Sequence, residues 1–284
     1  MSGSQPLISI VTPSFNQGHY LETTIQSVLN QDYPNLEYLI IDGGSTDGSV
    51  EVIRKHAKRL AYWVSEPDRG QSHAIAKGLA RARGEILAWL NSDDLYLDGA
   101  LARVAEAHRK SRADVIHGNL IVIDENGREQ DRIWDVPYNW YAYRCGVQMI
   151  HQPAAFFTRA IYRRVGGIRE DLQWLMDLDL FYRFGEARAR FHFVREFLAA
   201  FRVHVSAKSS VGGEKFRREW AEKLSASRPP VPSLGPFGHL PMRLLARARS
   251  AVYHLLQGDW ELFQRRMRTR GRLHWLVGRL ISMK

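Results

Sequence analysis

The fold class of this chain is decided by the stretch GEILAWLNSDD, residues 84–94. A glycine opens the stretch, a short apolar run follows, and two adjacent carboxylates end it. Short, continuous apolar runs are typical of buried strands in mostly parallel sheets. Open α/β sheets bind ligands at the carboxyl ends of their strands, where a pair of carboxylates suits a hard divalent cation. The alternative is an Asp-rich turn that caps a helix, because Asp favours both turns and caps.

Strand and helix patterns alternate on the amino-terminal side of this stretch. Apolar, β-branched runs predict strands at residues 7–12, 36–42 and 61–64. Apolar residues at helical spacing predict helices at residues 21–29, 50–57 and 71–83. Such alternation predicts a doubly wound, mostly parallel sheet.

A second strand-end carboxylate, Asp42, opens the loop DGGSTD, residues 42–47. Because a carboxylate accepts hydrogen bonds well, Asp42 could hold the imide of a uracil or thymine ring, or a ribose hydroxyl. The alternative is a strand-to-helix turn capped by Ser45 or Asp47. Neither this strand nor the first is followed by a G-x-G-x-x-G or G-x-x-x-x-G-K-S/T loop, which disfavours dinucleotide and P-loop chemistry.

Composition sets wider bounds. The 284 residues are 45% hydrophobic and 25% charged, which is ordinary for a soluble globular protein. The single cysteine, Cys145, excludes an internal disulfide and suits a reducing compartment. No signal peptide or membrane-length apolar segment is visible, so we expect a cytoplasmic protein. The net charge of +10 favours phosphate, membrane or nucleic-acid partners without choosing among them.

Four motifs, in order, resemble those of the family-two glycosyltransferases. They are VTPSFNQG (residues 11–18), DGGSTD (42–47), EPDRGQS (66–72) and LNSDD (90–94). Members of that family are inverting enzymes of the GT-A fold that use nucleotide-sugar donors, and the resemblance continues to about residue 204. It implies a Rossmann-like, mixed, mostly parallel sheet flanked by helices, in a catalytic domain that we place at residues 1–212.

The resemblance assigns residues to a donor site. Asp42 is expected to read the base, and Pro13 and Phe15 to line the base pocket. Asp68 and Arg69 are also expected to contact the nucleotide sugar. A cation at this edge would stabilise the negative charge that a leaving nucleoside diphosphate gathers.

The motif that ends the fourth strand resembles the DxD motif of the family. By that resemblance Ser92 and Asp93 face the nucleotide sugar, with Asp93 at the ribose. Asp94 is expected to bind Mn²⁺ or Mg²⁺ that bridges the diphosphate, and His204 to complete the metal site. For His204, a packed or exposed histidine is the alternative.

Acceptor-side residues are expected in the second half. The segment HQPAAFF, residues 151–157, resembles the acceptor-side segment of the family, which assigns Gln152, together with Trp174, to the acceptor. Asp177 matches the general base, and Asp179 would orient it or contact the acceptor. An inverting transfer needs a carboxylate opposite the departing diphosphate to take the proton of the acceptor hydroxyl. The alternative for Asp177 is a helix cap.

The C-terminal part, residues 213–284, has a different character. Residues 227–241 are rich in Pro and Gly, which predicts a linker. Residues 265–284 combine many arginines with Trp and Leu, which predicts a basic amphipathic helix at the inner face of a membrane. The alternative is a helical hairpin packed on the catalytic domain or on a second subunit.

Together these features predict transfer of a sugar from a UDP- or TDP-sugar to a saccharide or lipid-linked acceptor, in cell-surface polysaccharide or glycoconjugate synthesis. One alternative is a sugar nucleotidyltransferase, which would need a phosphate loop rich in Gly, Arg and Lys after the first strand. Residues 13–18 contain neither Arg nor Lys. The other is a non-catalytic basic protein that binds nucleic acid, but the apolar half-face of the tail argues against nucleic acid as a partner.

Overall fold

The computed structural model of the protein describes residues 5–144, 150–208 and 212–225, together with 248, 252–253 and 255–260. The chain divides into two compact units. One is drawn from Met1–Asp135 and Ile150–Ala207, and the other from Val136–Met149 and Lys208–Lys284.

Strands and helices alternate through the first ninety residues, as the sequence pattern predicts. They are β1 (Ile8–Ser14), α1 (Gly18–Leu29), β2 (Leu36–Asp42), α2 (Ser49–His56), β3 (Tyr62–Ser65), α3 (Gln71–Arg81) and β4 (Ile86–Trp89). The elements that follow are β5 (Leu95–Tyr96), α4 (Ala100–Ser111), β6 (Val115–Ile123), β7 (Glu129–Ile133), α5 (Trp140–Arg144), β8 (Ala155–Thr158), α6 (Arg159–Arg164), α7 (Met176–Glu186), β9 (Phe191–Arg202) and α8 (Gly213–Glu219).

The strands form one mixed sheet in the order β3-β2-β1-β4-β8-β6-β9-β5, with β7 paired to β6. The first four strands are parallel. β8 runs antiparallel to β4 and β6, whereas β9 runs parallel to β6. The turn at residues 125–127 joins β6 and β7 as an antiparallel hairpin. A mixed, mostly parallel sheet flanked by helices is therefore confirmed.

The register of the parallel strands brings four loops to one edge of the sheet. Ser14, Asp42 and Ser65 end β1, β2 and β3 at the same level. The Leu90 amide donates to the Val11 carbonyl at 2.9 Å, so the turn after β4 also leaves the sheet at this edge. The predicted donor-side residues before position 95 therefore lie at, or just beyond, the carboxyl ends of neighbouring strands.

Close packing at the opposite edge fixes the start of β4. A side chain at Gly84 would place its Cβ only 2.6 Å from the Ser9 amide nitrogen, so only glycine fits here. The Gly84 amide donates to Ser9 Oγ at 2.7 Å, and Ser9 Oγ in turn donates to Glu37 at 2.5 Å. The buried Glu37 carboxylate also accepts from the Arg83 amide at 2.7 Å and from Arg83 Nε at 2.6 Å.

Helices cover both faces of the sheet. On one face α1 buries Leu21, Ile25 and Val28, the stripe that its spacing predicts. On the other face Phe157 of β8 packs against Phe184 of α7, with ring centroids 5.3 Å apart. This second core packs α7 against the sheet, and the predicted general base lies in the first turn of that helix.

Strand β7 lies outside the main strand order and has exposed side chains from residue 129 to residue 132. Three of these four side chains are charged, and Arg132 Nε donates to Glu129 at 2.6 Å.

The second unit contains α5 and α8, and a π-helical turn at Trp220–Leu224 follows α8. Within it the Tyr138 and Tyr143 rings are 5.7 Å apart, and the Arg144 guanidinium lies over the Trp140 ring. None of the helices in the described parts of the chain is long and apolar enough to cross a membrane. The predicted linker and the predicted basic tail at residues 265–284 lie outside the described residues.

Candidate active site

The loops after β1 and β2 are tied together by backbone and side-chain hydrogen bonds. Asn16 donates its amide to Ser45 Oγ at 2.8 Å and accepts from the Thr46 amide at 2.9 Å. Asp47 accepts from the Gly18 amide at 2.9 Å and from Ser49 Oγ at 2.5 Å. Burial acts to raise the pKa of Asp47, but these hydrogen bonds outweigh it and lower the pKa.

Asp42 is buried beneath these loops, and its carboxylate is occupied by them. One oxygen accepts from the amides of Gly44 at 3.1 Å and Ser45 at 2.9 Å and from Ser65 Oγ at 2.7 Å. The other accepts from Ser45 Oγ at 2.6 Å. A carboxylate with four such donors holds the shape of the loop.

Phe15 and Asp68 meet above Gly43. A Cβ at Gly43 would lie 2.8 Å from one Asp68 carboxylate oxygen and 3.2 Å from the Phe15 ring. The Phe15 side chain is 61% exposed, whereas Pro13 is buried in β1. The other Asp68 oxygen accepts from the Gly70 amide at 2.6 Å. This arrangement offers an exposed aromatic face beside a carboxylate, which suits a flat ring with an N–H donor.

The turn after β4 holds Asp94 below the surface. Asp94 is fully buried and accepts from the Arg202 amide at 3.0 Å and from Asn91 Nδ2 at 3.1 Å. Thr24 Oγ1 lies 2.9 Å from the carbonyl oxygens of both Ser92 and Asp94. Burial, and then the neighbouring Asp93 carboxylate, raise the pKa of Asp94 well above its usual value. The Ser92 side chain is also buried.

Asp93 points instead to His204, which the structure brings to it from the end of β9. The Asp93 carboxylate lies 3.0 Å from His204 Nε2, and His204 Nδ1 lies 2.9 Å from Ser206 Oγ. The His204 ring is buried against the Tyr20 ring at 4.7 Å. Within the described part of the chain no cluster of three or more His, Cys, Asp or Glu could hold a metal ion.

A carboxylate and an imidazole nitrogen are nonetheless suitable ligands for Mn²⁺, and the Ser206 contact would orient the imidazole. The Asp93–His204 pair would therefore supply two ligands to a divalent cation, and substrate oxygens and water would have to supply the others.

A chain of amides links the donor side to Gln152. Gln71 Nε2 donates to Asn91 Oδ1 at 2.8 Å, and Asn91 Nδ2 lies 3.2 Å from Gln152 Oε1. The buried Gln152 also donates to the Trp89 carbonyl at 2.7 Å. Gln71 and Asn91 both lie within the four sequence motifs, but neither residue was predicted to have a role in the site.

The loop after β3 contacts the segment that leads into α7. Arg69 forms an exposed ion pair with Glu170, and Gln173 Nε2 donates to the Arg69 carbonyl at 3.2 Å. Ser72 Oγ donates to the Leu172 carbonyl. The predicted donor side and the predicted acceptor side are therefore adjacent.

Asp177 and Asp179 both lie in the first turn of α7 but have different surroundings. Asp177 is half-buried, and its carboxylate accepts from the Leu178 amide at 2.7 Å. Asp179 is buried and forms an ion pair with Arg183 at 2.7 Å, and Arg183 also donates to the Gly167 carbonyl at 2.7 Å. Asp179 thus anchors the preceding turn. Trp174 is half-buried just before the helix.

Sequence reasoning missed Arg202, the last residue of β9. Its guanidinium is buried, and Arg202 Nε donates to the Asp93 carbonyl at 2.9 Å. Arg202 Nη1 donates to the carbonyls of Asp124 and Glu125 at 3.1 Å each. The available signal was an arginine in the otherwise apolar run at residues 197–203, two residues before His204.

The chain is similar in sequence to known glycosyltransferases. The sequence profile of "Glycosyl transferase family 2" matches residues 9–166. An uncharacterized glycosyltransferase of Mycobacterium tuberculosis is 30% identical over 188 residues, which are 63% of this chain and 69% of that protein.

Two solved structures share the fold. TarS residues 1–349 from S. aureus, in complex with UDP-GlcNAc, has a TM-score of 0.58 at 14% identity, over 90% of this chain and 89% of that one. The mannosyltransferase PcManGT from Pyrobaculum calidifontis, in complex with GDP-Man and Mn²⁺, has a TM-score of 0.61 at 20% identity, over 98% and 85%. The fold is the GT-A fold, and the extent of the profile match shows that the chain belongs to glycosyl transferase family 2.

Proposed function

We propose that the protein is an inverting glycosyltransferase that moves a sugar from a nucleoside-diphosphate sugar to a hydroxyl group of a saccharide or lipid-linked acceptor. The observation that carries this proposal is the meeting of three groups at one edge of the sheet. The Phe15–Asp68 surface and the Asp93–His204 pair lie on loops at this edge, and the segment leading to Asp177 hydrogen-bonds to the Arg69 loop.

The donor base is proposed to stack on Phe15 and to donate its ring N–H to Asp68. Asp42 is proposed to support this site without touching the base. Its four hydrogen bonds hold the loop that carries Gly43, and Gly43 lies beside Phe15 and Asp68. This role for Asp42 is indirect, whereas the sequence resemblance gave it direct contact with the base. The complex of TarS with UDP-GlcNAc supports a uracil nucleotide, and the complex of PcManGT with GDP-Man supports a guanine nucleotide.

A divalent cation is proposed at Asp93 and His204. The sequence resemblance assigned the metal to Asp94, but Asp94 is buried and both its oxygens already accept hydrogen bonds. Asp93 is the carboxylate that contacts His204. A bound cation would neutralise charge on the diphosphate. The Mn²⁺ in the PcManGT complex supports manganese as the first ion to test.

Asp177 is proposed as the general base. It would take the proton of the acceptor hydroxyl while the acceptor oxygen bonds to the anomeric carbon. The bond from that carbon to the diphosphate oxygen breaks on the opposite face, so the configuration inverts. Gln152 and Trp174 are proposed to contact the acceptor, and Asp179 to fix the start of α7 through Arg183.

The test is to compare Asp177→Asn with the wild type in donor binding and in turnover. Asn keeps the size of the side chain but accepts no proton, so turnover should fall by about a hundredfold or more. Nucleotide affinity by calorimetry should stay unchanged, because the proton moves only as the transition state forms. Asp179→Asn is the matched control. We expect it to lower the melting temperature, because Asp179 pairs with Arg183, and to reduce turnover much less than Asp177→Asn does. Near-normal turnover in Asp177→Asn would remove Asp177 as the base.

The family membership favours this proposal over a sugar nucleotidyltransferase. We further propose that residues 1–212 form the catalytic domain and that residues 213–284 are a helical region that places the enzyme peripherally on the inner face of a membrane. A lipid-linked or cell-surface acceptor would account for such a location.

A further inference from the structure

Arg202 is a buried cation whose contacts join two separate turns. Its Nε donates to the Asp93 carbonyl, and its Nη1 donates to the carbonyls of Asp124 and Glu125 in the hairpin turn between β6 and β7. Its guanidinium also lies over the Tyr20 ring, 4.9 Å from the centroid. Within the described residues the guanidinium makes no ion pair, so its hydrogen bonds to carbonyls carry the interaction.

The geometry of the guanidinium decides what the side chain can do. Arginine presents five donors in a rigid planar fork, whereas lysine is a single flexible point charge. Nε and Nη1 diverge within that plane, so one side chain reaches the Asp93 turn and the hairpin turn together. The Arg202 backbone amide adds a hydrogen bond to the Asp94 carboxylate at 3.0 Å. Residue 202 therefore holds the turn that carries Asp93 by both its main chain and its side chain.

We propose that Arg202 is a positioning residue that sets the Asp93 carboxylate relative to His204 by fixing the Asp93–Asp94 turn to the β6–β7 hairpin. The inference rests on the proposed role of Asp93 and His204 in holding a divalent cation. Residues that orient metal ligands typically change metal affinity by about 10–100-fold when they are replaced. The hairpin turn, which supplies no ligand, should therefore influence metal binding through Arg202.

The hairpin offers a matched pair of substitutions that leave Arg202 in place. The Asp124 carboxylate shapes the turn, because it accepts from the amides of Asn126 and Arg128 at 2.9 Å each. The neighbouring Glu125 is exposed and contributes its carbonyl, but no hydrogen bond of its side chain is part of the turn. Asp124→Ala and Glu125→Ala remove the same charge, so a difference between them reports the shape of the turn.

The experiment measures Mn²⁺ affinity of the full chain with UDP present, from the electron paramagnetic resonance signal of free Mn²⁺, after subtraction of the Mn²⁺ that UDP binds in a titration without protein. We expect Arg202→Lys and Arg202→Gln to raise the Mn²⁺ dissociation constant by about tenfold or more. Arg183→Gln is the control for loss of a half-buried arginine that is bonded to backbone carbonyls, and it should lower the melting temperature without changing Mn²⁺ affinity. Asp124→Ala should weaken Mn²⁺ binding severalfold, whereas Glu125→Ala should leave it unchanged.

Each outcome decides the proposal. If Arg202→Lys binds Mn²⁺ as tightly as the wild type does, a positive charge at residue 202 is enough for Mn²⁺ binding, and the positioning role is overturned. If the Arg202 variants do not fold, equal affinities for Asp124→Ala and Glu125→Ala would overturn it. If the wild type binds no Mn²⁺ with UDP, the proposed metal site fails and this inference fails with it. If the wild type and every variant bind Mn²⁺ equally well, the positioning role of Arg202 is overturned and the proposed metal site stands.

Discussion

Glu37 shows how one carboxylate can join three segments far from the site. Burial acts to raise the pKa of Glu37, but the hydrogen bonds from Ser9 and Arg83, with the Arg83 charge, outweigh it and lower the pKa below 4.5. A folded-state pKa below the unfolded value means that the unfolded chain binds more protons over that pH range. The stabilisation from Glu37 is therefore complete above about pH 4.5 and is lost as the pH falls through the lowered pKa.

We accordingly expect Glu37→Gln to lower the free energy of unfolding by about 1–3 kcal/mol at pH 7, as for loss of a charged hydrogen-bond acceptor. Urea unfolding from pH 3 to pH 8 measures the effect, and the difference from the wild type should shrink below pH 4.5. Glu51→Gln is the control, since the exposed Glu51 lies 3.8 Å from Arg54 on the surface of α2. A constant difference at all pH values would contradict the ionic origin.

The two adjacent aspartates of the β4 turn should respond differently to the same substitution. Asp93→Asn should raise the Mn²⁺ requirement for turnover by about tenfold or more, because it removes the carboxylate beside His204. Asp94→Asn should change it less, because Asp94 is buried under the turn. Titrating turnover against Mn²⁺ for both variants decides between them. A greater loss in Asp94→Asn would restore the assignment of the metal to Asp94 that the sequence resemblance implies.

At the scale of single residues, the sequence located candidate side chains but not the contacts that they make. The motifs pointed to Asp42, Asp93 and His204. The Asp42 carboxylate accepts a hydrogen bond from Ser65, which is 23 positions away, and the contact of Asp93 with His204 joins residues 111 positions apart. Such contacts are set by strand register and loop shape, which no local pattern encodes.

Among the elements, the loop after β3 and the segment before α7 are held together by an exposed ion pair. The sequence resemblance places Arg69 at the donor, and in the structure its side chain pairs with Glu170. Exposed pairs contribute about 0.2–1 kcal/mol, so donor binding can compete with this contact.

Glu170→Gln should therefore free Arg69 and lower the donor KM by up to about fivefold, the equivalent of an exposed ion pair. Initial rates against donor concentration measure the effect, and added salt should reduce it because salt screens exposed charges. Asp171→Asn is the matched control, since Asp171 is exposed on the same segment but pairs with Arg169. If Glu170→Gln raises the donor KM and Asp171→Asn does not, the Arg69–Glu170 ion pair orders the donor site and does not compete with the donor.

The alternating elements from β1 to β4 were predictable, because their apolar runs and helical stripes are long enough to show a period. The two-residue β5 and the six-residue α6 were not predicted, since so few residues show no period. The position of β8 between β4 and β6 was also beyond the local pattern. Strand order depends on which surfaces pack together, and only the family resemblance indicated a mixed sheet.

For the whole molecule, the net charge of +10 and the basic stretch at residues 265–284 lead to one prediction. Deleting residues 235–284 should abolish binding to anionic vesicles, because polybasic segments contribute about 1 kcal/mol per Lys or Arg near such a surface. Hydrolysis of the donor should remain. Vesicle sedimentation and a hydrolysis assay on the same preparation measure both properties. An unfolded truncated protein would show instead that this region belongs to the core.

The charged face of β7 has a consequence for how copies of this chain meet. Edge strands present free backbone groups that can pair with another chain and extend the sheet from molecule to molecule. Charged side chains such as Glu129, Asp131 and Arg132 oppose this, because a second strand laid against them would have to strip water from their charges. Crowded copies of the protein are therefore protected at this edge against stacking into fibrous aggregates.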